Sequence, residues 1–193
     1  MSAPIDRESA SRIRLVVLDA DGVLTDGGIY VADGVDGEPF QLRRFHVRDG
    51  VGLHLLRRAG VEPVVVSGRS SPAVRARAAE LGIEEVRQVS PWEKVGVVGG
   101  MLERRGLAWT EAACLADDLP DLAVLERVGL PAAVADAVPE VRARAAWCGE
   151  LPGGAGAVRE FVEALLRARG AWDGQVEAYV RRARGEGGAG GST

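Results

Sequence analysis

Two acidic residues follow the first strongly apolar run of the sequence. Asp19 and Asp21 flank Ala20 directly after the run IRLVVL, and Gly22 comes next. A carboxylate at the end of a buried strand is unfavourable unless a cation or a reaction makes use of it. A bound Mg²⁺ would neutralise the pair, after which one carboxylate could attack phosphorus and the other could act as general acid and base. Taken alone, the same spacing is equally compatible with a simple Asx turn.

Two further segments carry groups suited to binding phosphate. Ser67 and Gly68 follow another apolar run, EPVVV, and stand just before a predicted helix, where a hydroxyl and a backbone N–H could hold a phosphoryl oxygen. Lys94 is the single lysine among 24 basic residues. That a lysine stands here when every other basic residue is arginine predicts a role for which a planar guanidinium is unsuited. Such a role is that of a compact positive charge between a nucleophile and a phosphate. The alternative for Lys94 is an ordinary surface lysine.

A third group of carboxylates follows the run ACLA. Asp117 and Asp118 are adjacent, and Asp121 comes three residues later, after Pro120. Carboxylates this crowded again require a cation. Because separate strand ends carry an acidic pair, a serine, a lysine and an acidic cluster in this order, we interpret them as one site.

Short apolar runs alternate with helical patterns along most of the chain. Asp49 is predicted to cap a helix that stops at Gly60, and Ser-Pro pairs at positions 71 and 90 are predicted to open two more helices. This alternation predicts an α/β fold with a doubly wound, Rossmann-like parallel sheet, whose ligand site lies at the carboxyl ends of the strands. The strands are predicted at residues 13–18, 62–66, 84–89, 113–116 and 132–135.

Residues 27–45 interrupt the alternation. Two strand-like runs, around IYV and FQLRRF, are joined by a turn rich in Gly and Asp, which predicts a β-hairpin inserted after the first strand. Near the other end, AWDGQVEAYVRRAR predicts an amphipathic helix, and GEGGAGGST is a Gly-rich tail. We expect an N-terminal extension at 1–11, one domain at 12–172, and a C-terminal helix with the tail at 173–193.

Composition restricts the class of protein. The chain has 193 residues, 47% of them hydrophobic, and a formal charge of −4, values typical of one soluble globular domain. The acidic balance argues against nucleic acid and against a polyanionic membrane as partners. The start MSAPIDRESA lacks the apolar core of a signal peptide, no run approaches a membrane span, and Cys114 and Cys148 have the context of buried free thiols. We therefore expect a cytoplasmic protein.

Taken together, the motifs resemble those of a known family. DADGVLTDG, VVSGR, the isolated Lys94 and ADDLPD match, in order, the four motifs of the haloacid dehalogenase superfamily of phosphotransferases. The hairpin, FHVRDGVG, VGLPAAVADAVPEV and GGAGAVREF are similar to the capless subgroup that contains the 3-deoxy-D-manno-octulosonate 8-phosphate phosphatases. The resemblance covers residues 13–172. It implies a haloacid dehalogenase fold without a cap domain, and a Mg²⁺-dependent phosphoric monoester hydrolase for a phosphorylated sugar acid of lipopolysaccharide biosynthesis.

The resemblance also implies roles for the motif residues. Asp19 would be the nucleophile, and Asp21 the general acid and base that also binds the metal through its backbone carbonyl. Ser67 and Gly68 would bind the phosphoryl group. Lys94 would contact the same group and stabilise an aspartyl-phosphate.

The acidic cluster and the hairpin take the remaining roles that the resemblance implies. Asp117 would be the third protein ligand of Mg²⁺, beside the two acids of the first motif. Asp118 and Asp121 would orient the ligands of the metal and the lysine. Family members are tetramers in which the hairpins associate and a neighbouring subunit covers the site, so we expect a homotetramer.

Three positions bear on the substrate. The tail motif of the octulosonate phosphatases usually carries a basic residue between its glycines, whereas this chain has Ala155 there. Arg69 matches the octulosonate branch, since the phosphatases of nine-carbon keto acids tend to carry Glu at that position, and Arg48 also matches. Either arginine could pair with a sugar-acid carboxylate in bidentate fashion, or could form a structural ion pair instead.

Three alternatives to the octulosonate phosphatase follow from the same residues. One is a phosphatase of a nine-carbon keto-acid phosphate, of the acylneuraminate or KDN 9-phosphate type, or of a broader set of small phosphates. A second is a phosphoacceptor receiver domain, whose phosphorylated Asp is expected at the third strand, where this chain has Val89 and Ser90. The third is a non-catalytic oligomerisation module, against which the joint presence of all the motif residues argues.

Overall fold

The chain folds around a six-stranded parallel sheet in a computed structural model that describes residues 4–35 and 37–186. Its described strands are β1 (Leu15–Leu18), β2 (Tyr30–Asp33), β3 (Pro39–Leu42), β4 (Glu62–Ser67), β5 (Val86–Gln88), β6 (Ala112–Ala116), β7 (Leu130–Ala133) and β8 (Trp147–Cys148). Six of them pair in the order β5-β4-β1-β6-β7-β8, and every pairing is parallel. Because the chain winds outward from β1 in both directions, the sheet is doubly wound, as predicted.

Helices connect these strands. The described α-helices are α1 (Arg7–Arg12), α2 (Val47–Arg58), α3 (Pro72–Glu80), α4 (Lys94–Arg105), α5 (Leu122–Leu125), α6 (Pro139–Arg142), α7 (Ala157–Ala168) and α8 (Trp172–Ala183). The hydroxyl of Ser71 accepts a hydrogen bond from the backbone N–H of Val74 at the start of α3, and Gly106 ends α4 with a positive φ of 64°. The first contact confirms the predicted opening of α3, and the left-handed glycine is a common way for a helix such as α4 to end.

The predicted cap of α2 was wrong. The helix begins at Val47, where the side chain of His46 accepts a hydrogen bond from the backbone N–H of Arg48 at 3.4 Å. Asp49 lies buried in the first turn, and its Oδ1 accepts a hydrogen bond from the backbone N–H of Arg159 at 2.8 Å. Asp49 therefore caps the first turn of a different helix, α7, which a local sequence pattern cannot indicate.

The sixth strand was not predicted. Trp147 and Cys148 pair with Ala132 and Ala133 of β7 at the edge of the sheet. A two-residue strand presents no apolar run, so the pattern that located most of the other strands of this sheet is missing here. Both cysteines are free, as expected, but Cys148 is only half-buried at this edge, whereas Cys114 is fully buried.

The core lies between the central strands and one strongly amphipathic helix. Every residue of β1 and β6 is buried, which is the pattern of strands covered on both faces. Helix α7 packs against α2, α1 and α8 and turns one continuous apolar stripe inward, made of Val158, Phe161, Val162, Leu165 and Leu166. None of the helices among the described residues is long and apolar enough to cross a membrane.

The predicted hairpin is present as a separate two-stranded antiparallel sheet. β2 and β3 pair from Tyr30 with Leu42 to Asp33 with Pro39. Between β1 and β4 the described residues contain one helical turn at Ala20–Leu24, this hairpin and α2, which agrees with the expected fold without a cap domain. The predicted boundaries at residues 11 and 172 stay predictions, and the end of the Gly-rich tail, residues 187–193, lies outside the described part of the chain.

Candidate active site

The candidate site lies where three neighbouring strands end. β4, β1 and β6 are adjacent in the sheet, so their carboxyl ends meet at one edge. Asp19 directly follows β1, Ser67 ends β4, and Asp117 directly follows β6. Lys94 is the first residue of α4, which enters the same region. The parallel topology thus brings together residues that lie up to 98 positions apart in sequence.

Lys94 is buried between two carboxylates. Its Nζ donates hydrogen bonds to Oδ1 of Asp19 at 2.9 Å and to Oδ1 and Oδ2 of Asp121 at 2.8 and 2.9 Å, and its side chain is 1% exposed. Burial on its own would lower the pKa of Lys94, but the charges of Asp19 and Asp121 outweigh it and raise the pKa. Lys94 is therefore a permanently charged group inside the site, and the alternative of a surface lysine is excluded.

The carboxylates around Lys94 form a cluster that could hold a metal ion. One oxygen from each of Asp19, Asp117 and Asp121 lies within 4.8 Å of the others. Burial raises the pKa of Asp117 to about 8 and that of Asp121 to about 7, and the negative charge of Asp19 contributes to both shifts. These shifts mean that the cluster has too little positive charge, since three carboxylates face one lysine.

A divalent cation fits this cluster. Oδ1 of Asp117 is buried and has no hydrogen-bond partner within the described residues. With Asp19, Asp117 and Asp121 ionised and Lys94 protonated, the net charge is −2, which one divalent ion would neutralise. An all-oxygen donor set of this kind suits a hard cation such as Mg²⁺.

Gly22 allows the turn after β1 to approach the second acidic motif. Its φ of 91° lies in the left-handed region, and a Cβ at this position would overlap Oδ2 of Asp117. Only glycine satisfies both conditions without strain. The sequence DADG therefore does more than form an Asx turn, because the glycine places Asp19 and Asp117 side by side.

Residues 149–156, which we call the brace loop, hold this turn from outside. The backbone N–H of Gly154 donates to the carbonyl of Val23 at 3.1 Å, and the backbone N–H of Gly153 donates to Oδ1 of Asp136 at 3.0 Å. A Cβ on Gly153 would overlap the carbonyl of Gly22. The paired glycines of the tail motif thus let two backbone segments pack directly against each other.

Ser67 and Gly68, the residues predicted to hold phosphate, lie at the end of β4. The Ser67 side chain is buried, and its hydroxyl accepts a hydrogen bond from the backbone N–H of Arg69 at 3.2 Å. A Cβ on Gly68 would lie 4.0 Å from Cε of Lys94. The backbone of Gly68, directly after the buried Ser67, therefore lies next to the lysine side chain at the end of β4.

Asp21 is held by arginines. Nε of Arg43 donates to Oδ1 of Asp21 at 3.0 Å, and Nε of Arg69 lies 3.8 Å from Oδ2. Arg69 was a predicted site residue, whereas Arg43 was not. The available signal for Arg43 was weak: it is one arginine of many, in a run, FQLRRF, that predicted only a strand.

Two predicted site residues lie at the protein surface. Arg48 is exposed at the start of α2 and lines a groove beside α7, together with Trp147, Arg159 and Arg167. Asp118 is also exposed, and its Oδ1 accepts a hydrogen bond from the backbone N–H of Leu119 at 2.7 Å. The roles expected for these two residues stay predictions.

Comparison with known sequences identifies relatives of one kind, although no family model matches the chain. The 3-deoxy-D-manno-octulosonate 8-phosphate phosphatase KdsC of Escherichia coli strain K12 is 42% identical over 164 residues, which cover 85% of each protein. The KdsC of Yersinia pestis is 35% identical over 167 residues, which cover 86% of this chain and 87% of that protein.

Comparison with solved structures agrees with the sequence relatives. A crystal structure of 3-deoxy-D-manno-octulosonate 8-phosphate phosphatase from Moraxella catarrhalis, in complex with magnesium ion, phosphate ion and KDO, superposes with a TM-score of 0.83. The match covers 90% of this chain and 97% of the other, with 32% identity. The chain therefore belongs to the 3-deoxy-D-manno-octulosonate 8-phosphate phosphatase family of the haloacid dehalogenase superfamily.

Proposed function

We propose that this chain is a Mg²⁺-dependent phosphatase that hydrolyses 3-deoxy-D-manno-octulosonate 8-phosphate to the free sugar acid and phosphate through an aspartyl-phosphate on Asp19. The observation that carries this proposal is the buried Lys94, bonded to Asp19 and Asp121 where three strands end. The KdsC phosphatases, which are 35% to 42% identical to this chain, support the choice of substrate.

The first half-reaction transfers the phosphoryl group to Asp19. The hydrogen bond from Lys94 occupies Oδ1 of Asp19, and Oδ2 is the oxygen that we assign to the attack on phosphorus. As the new bond between Oδ2 and phosphorus forms, the bond from phosphorus to the sugar oxygen breaks. The electron pair of that bond remains on the sugar oxygen, which takes a proton from Asp21 and leaves as the alcohol.

The second half-reaction restores the enzyme. Asp21, now ionised, removes a proton from a water molecule whose oxygen attacks the phosphorus of the aspartyl-phosphate. The bond between phosphorus and Asp19 breaks, and inorganic phosphate is released. Throughout, Lys94 keeps its positive charge beside the acyl phosphate, while the hydroxyl of Ser67 and the N–H of Gly68 hold phosphoryl oxygens.

The metal site follows from the carboxylate cluster. Asp19, Asp117 and the backbone carbonyl of Asp21 would hold Mg²⁺, and Asp121 would keep Lys94 in position through its two hydrogen bonds. When bound, the ion supplies positive charge that offsets the negative charge of the phosphoryl oxygens. The unpartnered oxygen of Asp117 supports this assignment.

Ala155 gives one specific reason to consider a second substrate class. Because its side chain has no charge, Ala155 cannot pair with a substrate carboxylate. Of the two candidate arginines, Arg69 is the nearer to the catalytic acid, since its Nε lies 3.8 Å from Oδ2 of Asp21. If neither Arg69 nor Arg48 replaces the missing base, the enzyme would accept nine-carbon keto-acid phosphates or simple phosphate esters at comparable rates.

The test is a phosphate-release assay of purified protein with Mg²⁺. We expect kcat/KM for the octulosonate 8-phosphate to exceed that for an acylneuraminate 9-phosphate, KDN 9-phosphate and glycerol phosphate. The matched control Asp19→Asn should fold but release no phosphate. Equal rates across unrelated esters would support the broader phosphatase, and hydrolysis of the others without the octulosonate would refute the proposed substrate.

We also assign a homotetramer and a cytoplasmic location to this enzyme. The hairpin exposes several large apolar side chains, more than a solvated loop normally carries, namely Ile29, Val31, Val35, Phe40 and Leu42. Association of hairpins from several subunits would cover them and would close the site in place of a cap domain. Two free cysteines agree with a reducing compartment.

A further inference from the structure

Arg43 is a buried arginine that contacts Asp21 but has no part in the reaction steps given above. It follows β3 at the base of the hairpin, and its side chain is 2% exposed. Its neighbour Arg44 is 62% exposed and lies 3.6 Å from Asp26. A guanidinium is rarely buried unless specific acceptors surround it, so the contacts of Arg43 indicate what it does.

All the described contacts of the Arg43 guanidinium hold it in one orientation. Nη1 donates to the carbonyl of Leu42 at 3.1 Å, and Nη2 donates to Oε1 of Gln41 at 3.0 Å. Both acceptors belong to the end of β3. The remaining donor, Nε, points to Oδ1 of Asp21 at 3.0 Å. The hairpin strand thus fixes the guanidinium, and the guanidinium in turn fixes the carboxylate.

This contact distinguishes the two oxygens of Asp21. Oδ1 is engaged by Arg43, whereas Oδ2 is buried and has no hydrogen-bond partner within the described residues. Arg69 is near Oδ2, but its Nε is 3.8 Å away, beyond hydrogen-bond distance. One oxygen is therefore held in place, and the other is left to exchange a proton with a bound molecule.

We infer that Arg43 is a positioning residue that holds Asp21 through Oδ1 so that Oδ2 delivers the proton to the leaving oxygen. The inference rests on the proposed function, because it needs Asp21 to be the general acid. It also connects the hairpin to catalysis, since the residue that aligns the acid belongs to the same segment as the apolar strands. Misplacing a catalytic group by about 1 Å lowers a rate by about 100-fold.

The test uses two leaving groups. An alkyl phosphate, such as the octulosonate 8-phosphate, needs a proton on its leaving oxygen, whereas p-nitrophenolate is a weak base that leaves without one. We expect Arg43→Gln to lower kcat for the alkyl ester by about 10- to 100-fold and kcat for p-nitrophenyl phosphate by less than about 3-fold. Arg43→Lys keeps a charge but loses the three-point anchor, so its loss should be intermediate.

Controls separate positioning from a structural effect. Arg44→Gln, the exposed neighbour, should leave both rates unchanged. In the Asp21→Asn background, adding Arg43→Gln should cause no further loss, because the contact through which Arg43 acts is already altered. Thermal unfolding and elution volume are measured for each variant.

The outcomes are distinguishable. An equal fall for both esters, no fall for either, or full additivity with Asp21→Asn would overturn the role of Arg43 while leaving the phosphatase intact. A wild-type protein that hydrolyses neither ester would overturn the proposed function, and the role of Arg43 with it.

Discussion

At the scale of single residues, the buried ammonium of Lys94 is the centre of the site. Two carboxylates contact it, and a third, Asp117, lies close by. Removing one partner of a buried ion pair leaves the other charge without compensation, which is more unfavourable than losing an exposed pair. We therefore expect Lys94 to stabilise the fold and, in the proposed reaction, to prepare Asp19 for attack.

Lys94→Met should lower the free energy of unfolding by about 3 kcal/mol and kcat by at least about 100-fold. Lys94→Arg keeps the charge but forces a larger planar group into a fully enclosed space, so kcat should fall by a similar factor. Urea unfolding and steady-state kinetics measure both effects. The control Arg104→Met removes an exposed arginine from Glu85, which keeps its ion pairs with Arg87 and Arg105, and should change stability by less than about 1 kcal/mol. Normal activity of Lys94→Met would contradict the assignment.

The pH dependence of stability tests the carboxylate cluster. In the metal-free protein the pKa of Asp117 is about 8, against 3.8 for the ordinary group, so the folded state binds an additional proton between these values. Stability contributed by this proton is present below about pH 4 and is lost as the pH rises towards 8. In EDTA, the free energy of unfolding of the wild type should therefore decline more steeply with pH than that of Asp117→Asn.

The same unfolding measurements with Mg²⁺ in place of EDTA test whether Asp117 binds the metal. Because the ligands must be ionised to bind a metal, saturating Mg²⁺ should stabilise the wild type most at high pH and should have little effect on Asp117→Asn. Parallel pH profiles for the two proteins in EDTA would show that Asp117 does not hold the additional proton.

The sequence predicted single residues unevenly. Lys94 could be singled out because it is the only lysine, and Asp121 because it stands in an acidic cluster. Arg43 could not, since arginine is the ordinary basic residue of this chain and its burial depends on how the hairpin folds back. Residue type predicts chemistry only where the type itself is unusual.

At the scale of elements, the brace loop and the turn after β1 depend on each other. Gly153→Ala would place a methyl group against the carbonyl of Gly22, so one backbone must move. We expect a loss of about 1 to 3 kcal/mol in the free energy of unfolding, together with a lower kcat, because the moved turn carries Asp19 and Asp21. Urea unfolding and phosphate release provide the two readouts.

Gly174→Ala is the matched control for this variant. Gly174 lies in α8, where an added Cβ would meet nothing within 4 Å. Alanine favours a helix by about 1 kcal/mol over glycine, so this variant should be slightly more stable and equally active. A Gly153→Ala protein that behaves like Gly174→Ala would show that the close packing of the brace loop is unimportant.

The elements themselves were largely predictable, and the failures have physical causes. Continuous apolar runs located β1, β4, β6 and β7, since strands buried on both faces need them, whereas the edge strand β5 falls in the mostly polar run EEVRQV. The two-residue β8 had no such run. The cap at Asp49 was misplaced because its partner, the N–H of Arg159, is 110 positions away. Local sequence patterns predict local hydrogen bonds, whereas the pairing of β8 and the hydrogen bond of Asp49 involve residues that are distant in sequence.

At the scale of the whole molecule, the hairpin should decide assembly. Val31→Asp introduces a charge on its exposed apolar face, which should dissociate the proposed tetramer and lower kcat/KM as the sites lose their cover. Light scattering measures the assembly. The control Val180→Asp changes a partly exposed valine of α8 and should leave the assembly intact. A Val31→Asp protein with unchanged mass would place the interface elsewhere.

The net charge of −4 takes on a different meaning in the folded molecule. Three of the acidic residues and Lys94 form one cluster with a net charge of −2, which a divalent ion would neutralise, so the site need not repel an anionic substrate. The fold class and the position of the site at the strand ends were predictable from the sequence. The homotetramer stays a prediction that rests on the family resemblance, because an exposed apolar strand does not specify its partner.

Phosphorylation of Asp19 during turnover can be detected by rapid quenching followed by peptide mass spectrometry. Wild-type protein mixed with the octulosonate 8-phosphate and Mg²⁺ should yield a peptide containing Asp19 that carries one phosphoryl group, which appears and decays within a single turnover. Asp19→Asn should yield none. Turnover of this substrate with no phosphorylated Asp19, or with the phosphoryl group on another residue, would contradict the account.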